Sequence, residues 1–213
     1  MAKIVTDVDE LRKPNSVATL EEAQEIAEEL FMTLLERKET DVGLSAPQIG
    51  IHKRVCVVRA KSPAIVLVNP EIIEYTDETW YQEGCVSFPG ASVRTKRHKN
   101  VVVKVDYLGT GNEALQNWPN LDTGTKLYFA GKNLDDMDAD VDLLESIAVQ
   151  HEIDHLNGIL MFDREWKLEP IRVDTKYGRN ERVTIVHSGT NERIESIKYK
   201  KTEEYLNQGW TII

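Results

Sequence analysis

The stretch Gln150-His-Glu-Ile-Asp-His-Leu-Asn-Gly158 decides how this sequence is interpreted. It contains an H-E-x-x-H pattern, and residues four apart in a helix lie on the same face, so His151 and His155 can bind one metal ion. Glu152 would then lie beside the ion as a proton-transfer group. A catalytic transition-metal site has three protein ligands and one open position for water. The third ligand therefore decides the class of enzyme.

Helical periodicity surrounds this motif. From Val141 onward the apolar residues recur at helical spacing, and Leu144 and Ile147 share a face with the two histidines. Residues 19–38 predict an amphipathic helix that begins with a capping box. Between the two helices, β-branched runs predict mostly antiparallel strands over residues 55–58, 65–68, 101–107 and 126–129.

The last part of the chain has a different pattern. Val183–Val186 and Ile194–Tyr199 flank a turn-forming segment and predict a hairpin, and Lys201–Gln208 predicts a short helix. We therefore expect an α+β fold over residues 1–169, with antiparallel strands packed around a central helix that carries the motif. Residues 170–213 are expected to form a hairpin and short-helix appendage.

The composition excludes several classes of protein. The 213 residues carry a net charge of −10, which argues against non-specific binding to DNA. Neither a signal-peptide pattern nor a bilayer-length apolar run is present in the sequence. We expect a cytoplasmic protein without a membrane partner. The two cysteines are expected to be free thiols or metal ligands, because disulfides are rare in such proteins.

Several side chains compete to be the third metal ligand. The longer H-E-x-x-H-x-x-G-x-x-H pattern fails because Met161 occupies the last histidine position. A metallopeptidase could use Glu165 or Glu169 instead. Cys85 is the stronger candidate, because Glu83-Gly-Cys-Val-Ser-Phe-Pro-Gly90 would hold a thiolate on a tight turn.

Three blocks together resemble the peptide deformylases: Gly43-Leu-Ser-Ala-Pro-Gln-Ile-Gly50, Glu83-Gly-Cys-Val-Ser87 and the histidine stretch. The resemblance implies hydrolysis of the formyl group from N-formylmethionyl nascent peptides, with formate as a product. It also implies Fe²⁺ as the physiological ion, with Zn²⁺ or Ni²⁺ as substitutes. The implied roles are metal ligation by Cys85, His151 and His155, general acid/base catalysis by Glu152, and oxyanion stabilisation by Gln48 and the backbone N–H of Val86.

The resemblance also implies a substrate pocket. Gly43 matches a residue that hydrogen-bonds the peptide backbone, and Leu44 is predicted to join the substrate-binding set. The side chains predicted to surround the formyl-methionine are those of Val42, Tyr81, Leu144 and Ile147.

The chain departs from the family pattern at a few positions. Asp41 stands where the family often has glycine, Ser45 where alanine is common, and Val86 where leucine is common. The segment 109–140 is longer than usual. The basic cluster Arg94–Lys99, formed by Arg94, Lys96, Arg97, His98 and Lys99, is interpreted as a solvated turn that could contact ribosomal RNA.

Two other functions stay open at this point. One is an endopeptidase built on the same helix, with an acidic residue as the third ligand. The other is a deformylase-like scaffold that acts as a binding module through residues 170–213.

Overall fold

The computed structural model divides the chain into two compact units, residues 1–166 and 167–213, and each is described by itself. The predicted boundary at residues 169 and 170 lies outside the described residues. Within the described part of the chain, no helix is long and apolar enough to cross a membrane. The described residues are 2–37, 40–111, 115–118, 124–131, 139–166, 177–187, 189–190 and 192–213.

The first unit contains two long helices and several shorter ones. The helix predicted over residues 19–38 begins at Leu20, and Thr19 and Glu22 form the expected capping box. It ends at Leu35, three residues before the predicted end. The helices are α1 (Val8–Leu11), α2 (Leu20–Leu35) and α3 (Ala139–Leu156), with 3₁₀ turns at Ala46–Ile49 and Met161–Arg164.

Two antiparallel sheets complete this unit. The first has the order β1-β2-β3-β6-β7, formed by Gly43–Ser45, Val55–Val58, Ala64–Val68, Tyr107–Gly111 and Leu115–Asn117 respectively. The second has the order β4-β5-β8, formed by Glu71–Gly84, Ser92–Val105 and Thr125–Ala130. Every ladder between these strands is antiparallel, which confirms the α+β class with antiparallel sheets.

The core lies on both faces of β2. Val55 and Val57 pack in a cluster that includes α2, whereas Cys56 and Val58 pack in a cluster that includes α3. This division follows from the strand geometry, because successive side chains point to opposite faces. The helix α3 contacts strands of both sheets, among them β1, β2, β5 and β8. The histidine motif is thereby held against rigid elements.

The prediction of one continuous strand over residues 101–107 is wrong, because two strands of different sheets share this segment. The chain leaves the second sheet after Val105 and enters the first sheet at Tyr107. Asp106 lies between them and accepts a hydrogen bond from the Asn69 side chain at 2.9 Å. The sequence also gave no signal for β4, because most of its residues are exposed or half-buried and no apolar alternation marks a buried face.

The second unit contains the predicted hairpin, now with defined bounds. Its strands β9 (Arg182–His187) and β10 (Arg193–Lys198) pair antiparallel, and β11 (Trp210–Ile212) adds to the free side of β9. The strand β11 was not predicted. The helix predicted over Lys201–Gln208 is wrong in its bounds: a 3₁₀ turn at Tyr199–Lys201 precedes a shorter α4 (Glu203–Leu206).

A side chain accounts for this interruption. Thr202 donates a hydrogen bond from its hydroxyl to the Tyr199 carbonyl oxygen at 2.7 Å. The backbone N–H of Thr202 also donates to this oxygen, at 3.0 Å, which closes the 3₁₀ turn before α4 begins.

Candidate metal centre and active site

Two histidines and one cysteine converge at the side of α3. The rings of His151 and His155 lie on successive turns, with centroids 4.9 Å apart. Cys85 follows β4, and its Sγ lies 3.3 Å from Nε2 of His155. One ligand atom from each of the three side chains lies within 4.8 Å of the others. The structure thus brings together the three residues that the sequence predicts as metal ligands.

The chemistry of this set fits a transition metal. A thiolate and two imidazoles are ligands that zinc and iron accept, and three ligands leave one position open. Both histidines are buried, and burial lowers the pKa of His155 well below its usual value, which favours the neutral ring that a metal needs. Glu165, the alternative ligand, is exposed and lies opposite Thr95 in an isolated β-bridge. Glu169 lies outside the described residues.

A buried carboxylate orients His151. Glu83 is 5% exposed, and its Oε2 lies 2.7 Å from Nδ1 of His151. This contact leaves Nε2 of the ring for a metal, as carboxylates do behind many histidine ligands. Burial would raise the pKa of Glu83, but hydrogen bonds from His151 and Arg97 hold it well below its usual value. Glu83 is therefore an anion in the folded protein.

The carboxylate of Glu83 belongs to a larger ion-pair network. Arg97 donates to Glu83 from Nε at 2.6 Å and from Nη2 at 2.9 Å, and it donates from Nη1 to Asp154 at 2.5 Å. Asp154, inside the histidine motif, also accepts two hydrogen bonds from Arg164. Sequence reasoning missed Glu83 and Arg97 as site residues, although Glu83 lies only two positions before Cys85.

This network corrects the interpretation of the basic cluster. Residues 94–99 lie within the strand β5, so they do not form a turn. Arg97 is only 2% exposed and is engaged by two carboxylates, because its strand position faces α3. Arg97 is therefore not available to contact RNA. Arg94 and Lys96 are exposed on the opposite face, where Arg94 lies 4.3 Å from the centre of the Trp80 ring.

Glu152 is buried beside the three ligands. It is 3% exposed, and its Oε2 has no hydrogen-bond partner among the described residues. Burial raises the pKa of Glu152 to about 7, which suits a group that accepts and returns a proton near neutral pH. Gly43 makes room for this side chain. A Cβ atom at position 43 would lie 2.9 Å from both Cγ and Cδ of Glu152, closer than real Cβ contacts.

Gln48 faces the ligands from the 3₁₀ turn after β1. It is 1% exposed, so it is a buried side chain and not a surface amide. Its Oε1 accepts hydrogen bonds from the backbone N–H and the hydroxyl of Ser45, each at 2.8 Å. Its Nε2 lies 3.4 Å from the Sγ of Cys85. The amide therefore directs its donor end toward the three ligands.

A cavity of about 740 Å³ opens at this site. Leu44 does not line it and is fully buried in the cluster that includes α2, because its side chain points to the opposite face of β1 from Gly43. The side chain of Leu44 therefore packs in the core, and its predicted part in substrate binding stays a prediction. The predicted residues that do line the cavity are Val42, Gly43, Gln48, Tyr81, Cys85, Val86, Leu144, Ile147, His151 and Glu152.

Comparison with known proteins identifies the family of this chain. A model of the family described as polypeptide deformylase matches residues 1–120 and 126–170. The chain belongs to the polypeptide deformylase family. Deformylases are metal-dependent hydrolases that remove the N-formyl group from nascent polypeptides, and this activity is assigned to the chain. The match ends at residue 170, so most of the second unit lies beyond it.

Individual deformylases are similar to much of this chain. The peptide deformylase of Dictyoglomus thermophilum is 37% identical over 144 residues, which is 68% of this chain and 77% of that protein. The solved peptide deformylase of Thermotoga maritima has a TM-score of 0.58 and 29% identity, covering 78% of this chain and 99% of that one. A class I type b deformylase from Acinetobacter baumannii, solved with Met-Ala-Ser bound, has a TM-score of 0.58 and 29% identity. This similarity covers 77% of this chain and 98% of that one.

Proposed function

We propose that this deformylase binds a divalent metal ion through Cys85, His151 and His155, and that Glu152 and Gln48 carry out the chemistry beside it. The observation that supports this most directly is the convergence of one thiol and two imidazoles within 4.8 Å of one another, with Cys85 and His151 lining the cavity. The ion, when bound, supplies a Lewis acid that polarises a carbonyl group and lowers the pKa of water.

Glu152 is proposed to move the proton. One oxygen of its buried carboxylate has no hydrogen-bond partner among the described residues, so it can accept a proton from the attacking water. The same group then returns that proton to the amine that leaves when the C–N bond of the formyl amide breaks. A pKa near 7 allows both directions of transfer at cellular pH.

Gln48 is proposed to stabilise the negative charge that develops on the formyl oxygen. Its Nε2 faces the ligand set, while its Oε1 is held by two donors from Ser45. The backbone N–H of Val86, which lines the same cavity, is proposed as the second donor. Donors fixed in advance at such a position accelerate the reaction because they need no reorganisation.

The cavity is proposed to bind the formyl-methionine end of the peptide. Four side chains would surround the methionine, those of Val42, Tyr81, Leu144 and Ile147. Gly43 would hydrogen-bond the peptide backbone. The Acinetobacter baumannii deformylase has been solved with Met-Ala-Ser, which supports a peptide that begins with methionine.

We propose Fe²⁺ as the physiological ion, with Zn²⁺ or Ni²⁺ able to replace it. One thiolate and two imidazoles accept all three ions, so the donor set supports this choice without selecting among them. Metal analysis of protein purified without oxygen tests the proposal. Iron in near-stoichiometric amount is expected, and zinc alone under those conditions would overturn it.

The division of labour along the chain is also a proposal. Residues 1–169 would form the catalytic unit, and residues 170–213 an appendage without a part in the chemistry. A chain that ends at residue 169 should release formate like the full chain, and loss of activity without unfolding would contradict this. The predicted cytoplasmic location is supported by the substrate, a nascent polypeptide. The predicted ribosome contact stays a prediction, and Arg94 and Lys96 are the exposed residues of the basic cluster 94–99.

Formate release from N-formyl-Met-Ala-Ser tests the site. Protein prepared without oxygen should release formate, and a chelator should abolish the release. The variant Glu152→Gln should retain metal but lose at least 10²-fold in kcat, about the least that an acid/base group contributes. The variant Cys85→Ser should lose metal. If Cys85→Ser kept both its metal and its activity, the proposed ligand set would be wrong.

A further inference from the structure

We infer that Ser45 is a positioning residue for this reaction: its hydroxyl holds the Gln48 amide with the donor end facing the ligand set. This inference rests on the proposed function of Gln48. It concerns a position where this chain has serine and the family commonly has alanine.

The hydroxyl of Ser45 makes its hydrogen bond inside the site. It is the last residue of β1, is fully buried, and precedes the 3₁₀ turn that carries Gln48. Its backbone N–H and its hydroxyl donate to the same atom, Oε1 of Gln48, each at 2.8 Å. An alanine could supply only the first of these two hydrogen bonds. The hydroxyl therefore adds a second constraint on one amide oxygen.

This second constraint acts on the orientation of the amide. With Oε1 accepting two hydrogen bonds, Nε2 must point the other way, where it lies 3.4 Å from both the Cys85 Sγ and the Ser87 Oγ. A flipped amide would place its NH₂ group against the backbone N–H of Ser45, a donor that cannot turn to accept a hydrogen bond, although the hydroxyl could do so. That arrangement leaves buried donors without acceptors, which is unfavourable. The orientation that presents an N–H toward the reacting oxygen is thus fixed before substrate binds.

The hydroxyl also connects Gln48 with Glu152. Ser45 is close enough to hydrogen-bond the Glu152 carboxylate, and alternate positions of β1 place Gly43 and Ser45 on the face that meets this side chain. A hydroxyl has one proton, so it donates to the Gln48 oxygen or to the carboxylate, but not to both at once. The backbone N–H of Ser45 keeps its hold on Gln48 in either case.

The experiment compares Ser45→Ala with Gln48→Ala and with the double variant. We expect kcat for N-formyl-Met-Ala-Ser to fall about 3- to 10-fold in Ser45→Ala, the range expected for one neutral hydrogen bond, with KM little changed. Gln48→Ala should lose about 10²- to 10³-fold. In the Gln48→Ala background, Ser45→Ala should have a clearly smaller effect, because the amide that it positions is gone and only the contact of its hydroxyl with Glu152 remains.

A matched control separates positioning from folding. Thr33 is a buried hydroxyl residue of α2 that accepts a hydrogen bond from the Ala2 backbone N–H, so Thr33→Val removes a buried hydroxyl away from Gln48. We expect Thr33→Val to keep the wild-type kcat. Metal content and the free energy of unfolding, measured on every variant, should show that Ser45→Ala binds metal and folds like the wild type.

The possible failures are distinguishable. No formate release from metal-loaded wild-type protein would overturn the proposed function itself. An active wild type with an unchanged kcat in Ser45→Ala would overturn the role of Ser45 alone. Equal losses from Ser45→Ala in the wild-type and Gln48→Ala backgrounds would also overturn it, because the serine would then act independently of the amide.

Discussion

Replacing Glu83 should weaken both the fold and the metal centre, by amounts that its contacts define. Its Oε2 accepts from His151 Nδ1 and Arg97 Nη2, and its Oε1 accepts from Arg97 Nε and the Thr95 hydroxyl. In Glu83→Gln, we expect the new NH₂ group at the Oε1 position. At that position only the Arg97 Nε–H loses its acceptor. The Thr95 hydroxyl can accept a hydrogen bond from the new NH₂ group and can donate its own proton to the Tyr81 carbonyl oxygen.

The magnitudes follow from this arrangement. One buried donor without an acceptor costs about 1–3 kcal/mol, and removal of one partner of a buried ion pair costs about 3–5 kcal/mol. We therefore expect Glu83→Gln to lower the free energy of unfolding by about 3 kcal/mol or more. His151 keeps a neutral acceptor, so metal affinity should fall about 10-fold. Glu83→Ala removes that acceptor, and the loss should approach 100-fold.

Two assays separate these effects. Urea unfolding of metal-free protein gives the free energy of unfolding, and competition with a chromophoric chelator gives metal affinity. Glu78→Gln is the matched control, because Glu78 pairs with Lys96 at 2.6 Å but both side chains are about half exposed. Surface pairs contribute about 0–1 kcal/mol, so this variant should remain near the wild type in both assays. Wild-type metal affinity in Glu83→Ala would refute the idea that Glu83 orients His151.

The same variant has a predicted pH dependence. Glu83 has a pKa held below its ordinary value of 4.5, so its contribution to stability is present above that pH and is lost as the pH falls toward the lowered value. The stability difference between wild type and Glu83→Gln should therefore shrink below pH 4.5. A difference that grew in acid would contradict the assignment of Glu83 as an anion.

Two further predictions concern the space and the thiols at the site. Gly43→Ala should displace the Glu152 side chain and lower kcat about 10²-fold or more. Gly178→Ala is the control and should keep the wild-type kcat, because its Cβ would lie 3.7 Å from its nearest neighbour. A kcat of Gly43→Ala within about 3-fold of wild type would refute the clash. After metal removal, iodoacetamide should modify the partly exposed Cys85 but not the buried Cys56, because burial raises the pKa of the Cys56 thiol. In the metal-bound protein, the metal should protect Cys85 from modification. Mass spectrometry reads both sites, and modification of Cys56 in folded protein would contradict its burial.

The predictable parts of the fold are those with a regular apolar pattern. Val55–Val58 is a strand with the predicted bounds, because β-branched residues on two buried faces leave a continuous apolar run. The capping box at Thr19 fixed the start of α2 for a local reason, since both of its hydrogen bonds join residues three apart. In contrast, β4 runs for 14 residues with mostly exposed side chains, so no periodic pattern marks it.

The candidate site was predictable where three sequence blocks carry its residues, and unpredictable where contacts join distant strands. Arg97 meets Glu83 and Asp154, which are 14 and 57 positions away. No local pattern distinguishes such a buried arginine from its exposed neighbours Arg94 and Lys96. Only the register of β4 with β5 and their packing on α3 bring these charges together.

The short strand β1 explains why small residues are needed on one side of the site. Because side chains alternate along a strand, positions 43 and 45 face α3, whereas Leu44 points into the cluster with α2. At position 43 there is no space for a Cβ beside Glu152. At position 45 a hydroxyl fits and contacts Gln48. A larger side chain at either position would displace the proton-transfer group or the amide donor.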